Sequence, residues 1–171
     1  GGLLPSGLAV SETPAAGAVQ PGRLHFDSNQ ELQKWLSLGC VDFVEIFRGH
    51  GEATVRVREA GCTAAEGFDN KAITYERTWW LDRESGQSDL AWLLVFQLKP
   101  LAFHSGTPCT RMCITGVKEL DEATLAQNDF TYKVAEHQVI QGLHFSVENP
   151  SSSMFWKLQD TVKVFGTPEN T

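Results

Sequence analysis

The sequence predicts an all-β protein, an antiparallel two-sheet β-sandwich of eight or nine strands with one or two short helices. Three observations lead there. First, Val41 to Ala60 holds two runs of apolar and β-branched residues, Val41 to Phe47 and Ala53 to Glu59, joined by Arg48, Gly49, His50 and Gly51. In the second run Ala53, Val55 and Val57 alternate with Thr54, Arg56 and Arg58, the period of a half-buried strand. The two glycines supply the positive φ of a short turn, so the pair reads as a β-hairpin with one buried face. Second, Leu90 to Leu98 is apolar on both faces, as a strand at the centre of a sandwich would be. Third, most connections are too short for βαβ crossovers, which makes the sheets antiparallel.

The remaining elements follow in chain order. Residues Gly1 to Gly22 are rich in Gly, Ala, Pro and Ser and cannot form a core, so they read as an extended arm ahead of one domain from Arg23 to Thr171. Arg23 to Phe26 is a short strand. Asp27 or Ser28 with Glu31 caps a helix from Asn29 to about Leu38, whose Leu32, Trp35 and Leu36 share a face. After the hairpin come a loop from Gly61 to Lys71, a strand from Ile73 to Leu81 and a polar turn from Asp82 to Asp89. Thr110 to Leu120 is a further strand, and Asp121 to Gln127 a second helical turn with its acidic residues at the start. Phe130 to Val134, Gly142 to Glu148 and Phe155 to Phe165 complete the strands.

One domain of 171 residues, 42% hydrophobic and with ten Phe and five Trp, can bury a sizeable core. A net charge of -7 and the absence of any Lys/Arg run argue against nonspecific nucleic-acid binding, leaving RNA only local contacts. The longest apolar run is too short for a bilayer, so no membrane partner is expected. Four cysteines are few for a stapled secreted domain. Cys109 and Cys113 have no second ligand pair for zinc, so they read as buried free thiols, suited to a cytoplasmic or virion setting.

No catalytic, cofactor or metal site emerges. The five histidines fall in separate segments, and no nucleophile turn marks a cysteine. Arg48 with Gly49 and Gly51 hints at a phosphate cradle, but the P-loop Lys and Ser/Thr are missing and a strand, not a helix, is expected to follow. Carboxylates such as Asp42, Glu45, Glu52, Asp82, Glu84 and Asp89 read as a solvated rim, although a glycosidase pair could hide among them.

The segment Phe47, Arg48, Gly49 and Ala53 to Val57, together with Leu143 to Pro150 and Phe155 to Phe165, resembles the jelly-roll coat proteins of picorna-like viruses, nearest the plant comovirus and nepovirus group. In that family an aromatic-Arg-Gly turn leads into an alternating strand, and an apolar strand closes on Asn-Pro before the last one. Leu90 to Leu120, with its Gly106 to Pro108 turn, also resembles the family's closing strands. Gly1 looks like a polyprotein cleavage product. The resemblance implies an eight-stranded jelly roll assembling with other coat subunits into an icosahedral capsid in the virion, without cofactor or enzymatic activity. Arg48, Phe68, Trp79 and Phe103 would be the subunit-interface anchors.

Two other classes compete. A β-sandwich binding module would use Trp79, Trp80 and loop carboxylates on a glycan or protein. An enzyme comes third and would depend on a carboxylate or a cysteine.

Overall fold

The computed structural model describes residues 37, 39–70, 73–75, 77–113 and 119–166. The proposed N-terminal arm, the strand Arg23 to Phe26 and nearly all of the helix Asn29 to Leu38 lie outside them. Within them the fold is α/β and not an all-β sandwich. In order come β1 (Phe43–Ile46), α1 (Glu52–Glu59), β2 (Ile73–Thr74), β3 (Arg77–Thr78), α2 (Glu84–Trp92), β4 (Ala102–Ser105), α3 (Glu122–Ile140), β5 (His144–Val147) and α4 (Gln159–Phe165). A wider π-type turn, Leu93–Leu98, extends α2, and a 3-10 turn, Met154–Lys157, precedes α4.

The main sheet is parallel, ordered β1-β4-β5, with Val44 opposite Phe103 and Phe103 opposite Phe145. On the other flank of β1, residues 64–68 run alongside it in the same direction. Ala65 N–H donates to Phe43 O at 3.1 Å, and Phe68 N–H to Glu45 O at 2.9 Å. From β1 the chain therefore winds one way through α1 to residues 64–68, then returns to place β4 on the opposite side. Glu45 points to α1, where its carboxylate meets Thr54. The alternate side chains Val44 and Ile46 enter the core shared with Leu90, Leu94, Phe130 and Val134. Since successive strand side chains point to opposite faces, α1 covers one face of the sheet and α2 and α3 the other.

The hairpin expected at Val41 to Ala60 is thus a strand followed by a helix. The period of two in the second run does not track burial: Val55 is 50% exposed while Thr54 is 5% exposed. Thr54 and Val57 turn inward at a helical spacing, and Glu52 at the start with Arg56 and Arg58 at the end suit the helix dipole. Leu90 to Leu98 is likewise helical and not the central strand. The polar turn expected at Asp82 to Asp89 instead contains the start of α2. The expected strand Phe130 to Val134 lies inside the 19-residue α3, which grows from the helical turn foreseen at Asp121. Its buried residues include the polar Thr124, Gln127, Asn128, Thr131 and Gln138 beside the apolar Phe130, Tyr132, Val134 and Ala135.

Other segments hold in part. Val41 to Phe47 and Gly142 to Glu148 contain β1 and β5 as expected. The strand Ile73 to Leu81 is reduced to the two-residue pair β2 and β3 around Tyr75. Arg77 lies over the Trp79 ring, 4.8 Å from its centroid, and pairs with Asp89 of α2, tying that hairpin to the helix. Cys109 to Cys113 forms a turn where a strand was expected; residues 114–118 lie outside the description. Phe155 to Phe165 is a 3-10 turn plus α4, because Ser153 Oγ accepts from Phe155 N–H and Tyr132 hydroxyl meets Thr161 at 2.6 Å. Phe155 and Phe165 then pack on Tyr132 in a second core.

The N-terminus of α1 shows what holds the two layers together. Gly51 precedes the helix without a side chain to cap it. Glu45, 5% exposed, fills that role from β1, its Oε2 accepting from Thr54 N–H at 2.9 Å and from Thr54 Oγ at 2.6 Å. Replacing Glu45 by Ala leaves a buried N–H unsatisfied, a loss of about 1–3 kcal/mol. Glu45→Gln, which keeps an acceptor oxygen, should lose less. Urea unfolding of both variants checks this, and equal losses would show that the acceptor is not what matters.

Two exposed carboxylates make stability acid-sensitive. Hydrogen bonds from the Thr63 N–H and hydroxyl hold Asp42 below its ordinary range, and bonds from the Thr124 hydroxyl and N–H do the same for Asp121, the cap of α3. Both carboxyls have lower pKa values folded than unfolded, so each stabilises the fold above its unfolded value and loses that contribution as pH falls through its folded one. Stability should therefore drop below about pH 4. An Asp42→Asn/Asp121→Asn variant should lose less of its own stability on acidification. Urea midpoints measured from neutral pH to pH 3 test this, and parallel curves would exclude these two groups as the cause.

Candidate functional site

The chain leaves β1 and β4 in different directions, and a cleft opens between their carboxyl ends. In open parallel sheets this reversal point is where ligands bind. Its floor is the stretch Phe47 to Gly51, in which Phe47, Gly49 and Gly51 all have positive φ, of 52°, 52° and 75°. For Phe47, 6% exposed, this is a strained conformation of the kind that clusters at functional sites. Opposite it, Gly106 N–H donates to Ile46 O at 3.1 Å, and a Cβ on Gly106 would sit 3.0 Å from Phe47 O. A side chain at Gly106 would push the two strand exits apart by a few tenths of an ångström.

Phe47, Gly49 and Gly106 border two compartments. The larger, about 570 Å³, is lined also by His50, Asp69, Asn70, Pro108 and Gln127. The smaller, about 270 Å³, is lined also by Glu45, Arg48, His104, Thr107, Cys109, Glu148, Asn149 and Pro150. Asp69 ends the stretch that runs beside β1, and its Oδ2 accepts from Gly49 N–H at 3.2 Å. The loop after the first strand is thereby tied to an acidic side chain 20 residues further on.

In the smaller compartment, His104 Nδ1 lies 2.8 Å from Ser146 Oγ, and its Nε2 lies 3.9 Å from Glu148 Oε2. Asn149 Nδ2 donates to Thr107 O at 2.9 Å, while its Oδ1 is buried without a partner among the described residues. Beneath, the hydroxyls of Ser105, Thr107 and Thr131 form a buried cluster with separations of 2.9, 3.1 and 3.4 Å. Burial, then the neighbouring Cys113 thiol and the charge of Glu148, raise the pKa of the Cys109 thiol, so its resting form is protonated. Among the described residues no group of three or more His, Cys, Asp or Glu could hold a metal ion.

Of the residues foreseen as interface anchors, only Arg48 reaches the cleft. Its side chain crosses Gly67, where a Cβ would come within 2.6 Å of Arg48 Cδ. Phe68, Trp79 and Phe103 are all buried in the chain's own core, Phe68 meeting Trp79 edge-on at 4.9 Å. Cys109 and Cys113, expected to be buried free thiols, are free but half-buried and exposed respectively, and Cys40 and Cys62 are free and exposed.

Glu45, Asp69, Glu148 and Asn149 were not singled out as site residues. The signal that could have found Asp69 is its distance of 20 residues from Gly49, which has meaning only if a helix follows Gly51. No described helix is long and apolar enough to cross a membrane. Comparison with protein-family models, characterised proteins and solved structures yields no match. The class of protein is thus given by the fold and the cleft, an α/β domain with a two-part site at the carboxyl edge of a parallel sheet.

Proposed function

We propose that this chain is a group-transfer enzyme that takes a nucleoside-bearing donor in the larger compartment and an acceptor in the smaller one. The observation that carries the reading is the link between the glycine loop after β1 and Asp69, at the point where the sheet reverses its winding. An acidic side chain at that place and spacing is suited to ribose hydroxyls. Phe47 and Pro108 offer apolar walls for a base, and Asn70 and Gln127 amide groups for its edge. The size suits a nucleoside, since small-molecule sites run to about 300–1,000 Å³.

The donor should carry no phosphate. A helix N-terminus after such a loop ordinarily receives the anion. Here the Glu45 carboxylate already occupies the N–H of Thr54, and Glu52 adds a second negative charge in the first turn. This favours a nucleoside with a cationic tail over one with a pyrophosphate. A sulfonium nucleoside fits that charge and transfers a carbon group to a nucleophilic atom, leaving as a neutral thioether. On the acceptor side, Asn149 Oδ1 and Glu148 can accept hydrogen bonds from a bound substrate, and Cys109 supplies a thiol that becomes a nucleophile once deprotonated. Capsid assembly with coat subunits or RNA, and glycan recognition, were derived from a sandwich and lose that basis.

Calorimetric titration of the full chain with S-adenosylhomocysteine, ATP and NAD⁺ tests the proposal. S-adenosylhomocysteine should bind, with the phosphate-bearing ligands at least about 100-fold weaker, some 2.7 kcal/mol. Asp69→Ala should weaken that binding about tenfold, or 1.4 kcal/mol. Tighter binding of ATP or NAD⁺, or no binding of any of the three, would overturn it.

A further inference from the structure

The four thiols of the described residues are not equivalent. Cys40 and Cys62 stand exposed, whereas Cys109 and Cys113 bracket one turn in which the N–H groups of Met112 and Cys113 both donate to Cys109 O, at 2.9 and 2.8 Å. Four residues of helical rise separate their Cα atoms by about 6 Å. Disulfides span Cα separations of about 4.4–6.8 Å. The Cys113 thiol is near enough to help raise the pKa of the Cys109 thiol. Cys113 is exposed to solvent, and Cys109 forms part of the wall of the smaller compartment beside Glu148 and Asn149.

We propose that Cys109 and Cys113 are a modification site, a vicinal thiol pair that closes into a reversible disulfide under peroxide and so withdraws the Cys109 thiol from the cleft. The exposed Cys113 reacts first. Its thiolate attacks one peroxide oxygen, the O–O bond breaks, and the other oxygen leaves as water after taking a proton, giving a sulfenic acid. The Cys109 sulfur then attacks the Cys113 sulfur, the S–O bond breaks, and a second water departs with the Cys109 proton. Two thiols lose two electrons in all, and one peroxide becomes two waters. The protonated state of Cys109 fits this order, because the less reactive thiol acts as the resolving partner. The functional consequence rests on the reading of the cleft given above, whereas formation of the bridge does not.

The test uses the native full chain, treated with equimolar hydrogen peroxide, alkylated with a bulky maleimide and digested with trypsin. Cleavage after Arg111 puts the two cysteines on separate peptides unless they are bridged. The expected product is one linked peptide pair, lighter by two hydrogens than its parts and released by dithiothreitol, with both cysteines unlabelled by the maleimide. The pair should persist in a Cys40→Ser/Cys62→Ser variant and vanish in Cys113→Ser. A bridge to Cys40 or Cys62, or sulfinic acid at Cys113 with Cys109 still open to the maleimide, would overturn the proposal. Failure of the nucleoside titration would leave these peptides unaffected, so the two readings fail separately.

Discussion

A single carboxylate reaching from a strand to the start of a helix organises this fold. Glu45 lies in the middle of β1, in a row where an apolar side chain would ordinarily pack, yet it is almost wholly buried. Two hydrogen bonds to Thr54 compensate its desolvation. They also supply the cap that Gly51 lacks, freeing the residues before α1 to adopt the left-handed turns that shape the cleft. A side-chain cap at Gly51 would need a residue with a Cβ in a conformation that glycine tolerates best. With the cap moved onto the strand, the loop keeps its glycine and the helix keeps its partner.

The neighbouring layer shows the same division of labour. On the face of β4 toward α3, Phe103 is apolar, but Ser105, at the strand's end, joins Thr107 and Thr131 in a hydroxyl cluster under the smaller compartment. Gln138 of α3 donates to Pro100 O and His144 O, joining the entry of β4 to that of β5. The sheet is short, only four residues per strand, and its ends would otherwise splay. Polar ties at the entry end and apolar packing between them leave the carboxyl end, where Gly49, Gly106 and Asn149 converge, as the place where backbone and side-chain groups can face a ligand.

What was legible in the sequence was the two outer strands of the main sheet, β1 and β5, and what was not was the central strand β4 or how the strands connect. Val41 to Phe47 announces β1 as a strand buried on both sides, with few interruptions, whereas Gly142 to Glu148 announces β5 by alternation, Phe145 and Val147 half-buried and His144 and Ser146 exposed. α1 was hidden because valines at every second position mimic a strand, and only burial shows that Thr54 is inside and Val55 outside. α3 was hidden for a related reason. Its buried residues mix Thr, Gln and Asn with Phe130, Tyr132, Val134 and Ala135, while Leu125, Val139 and Ile140 face solvent, so hydrophobic periodicity marks no clear face. Once both helices are missed, the linkers look too short for crossovers and an antiparallel sandwich follows. The site was lost with them, since the spacing from Gly49 to Asp69 has chemical meaning only across a strand-helix-strand unit.

The polar residues buried on α3 have a physical reason that also bears on the cleft. A helix packed by Leu and Ile alone would need no particular register against β4 and β5. Thr131 bonds Ser105 of β4, and Gln138 bonds the backbone at the entries of β4 and β5, so rotation or sliding of α3 would strand both at once. Gln127 is at once one of the buried residues of α3 and part of the wall of the larger compartment. Fixing the helix by its polar contacts therefore fixes one side of the cleft. A domain with so small a sheet can hold a shaped site because hydrogen bonds, rather than strand length, set the position of the helix behind it.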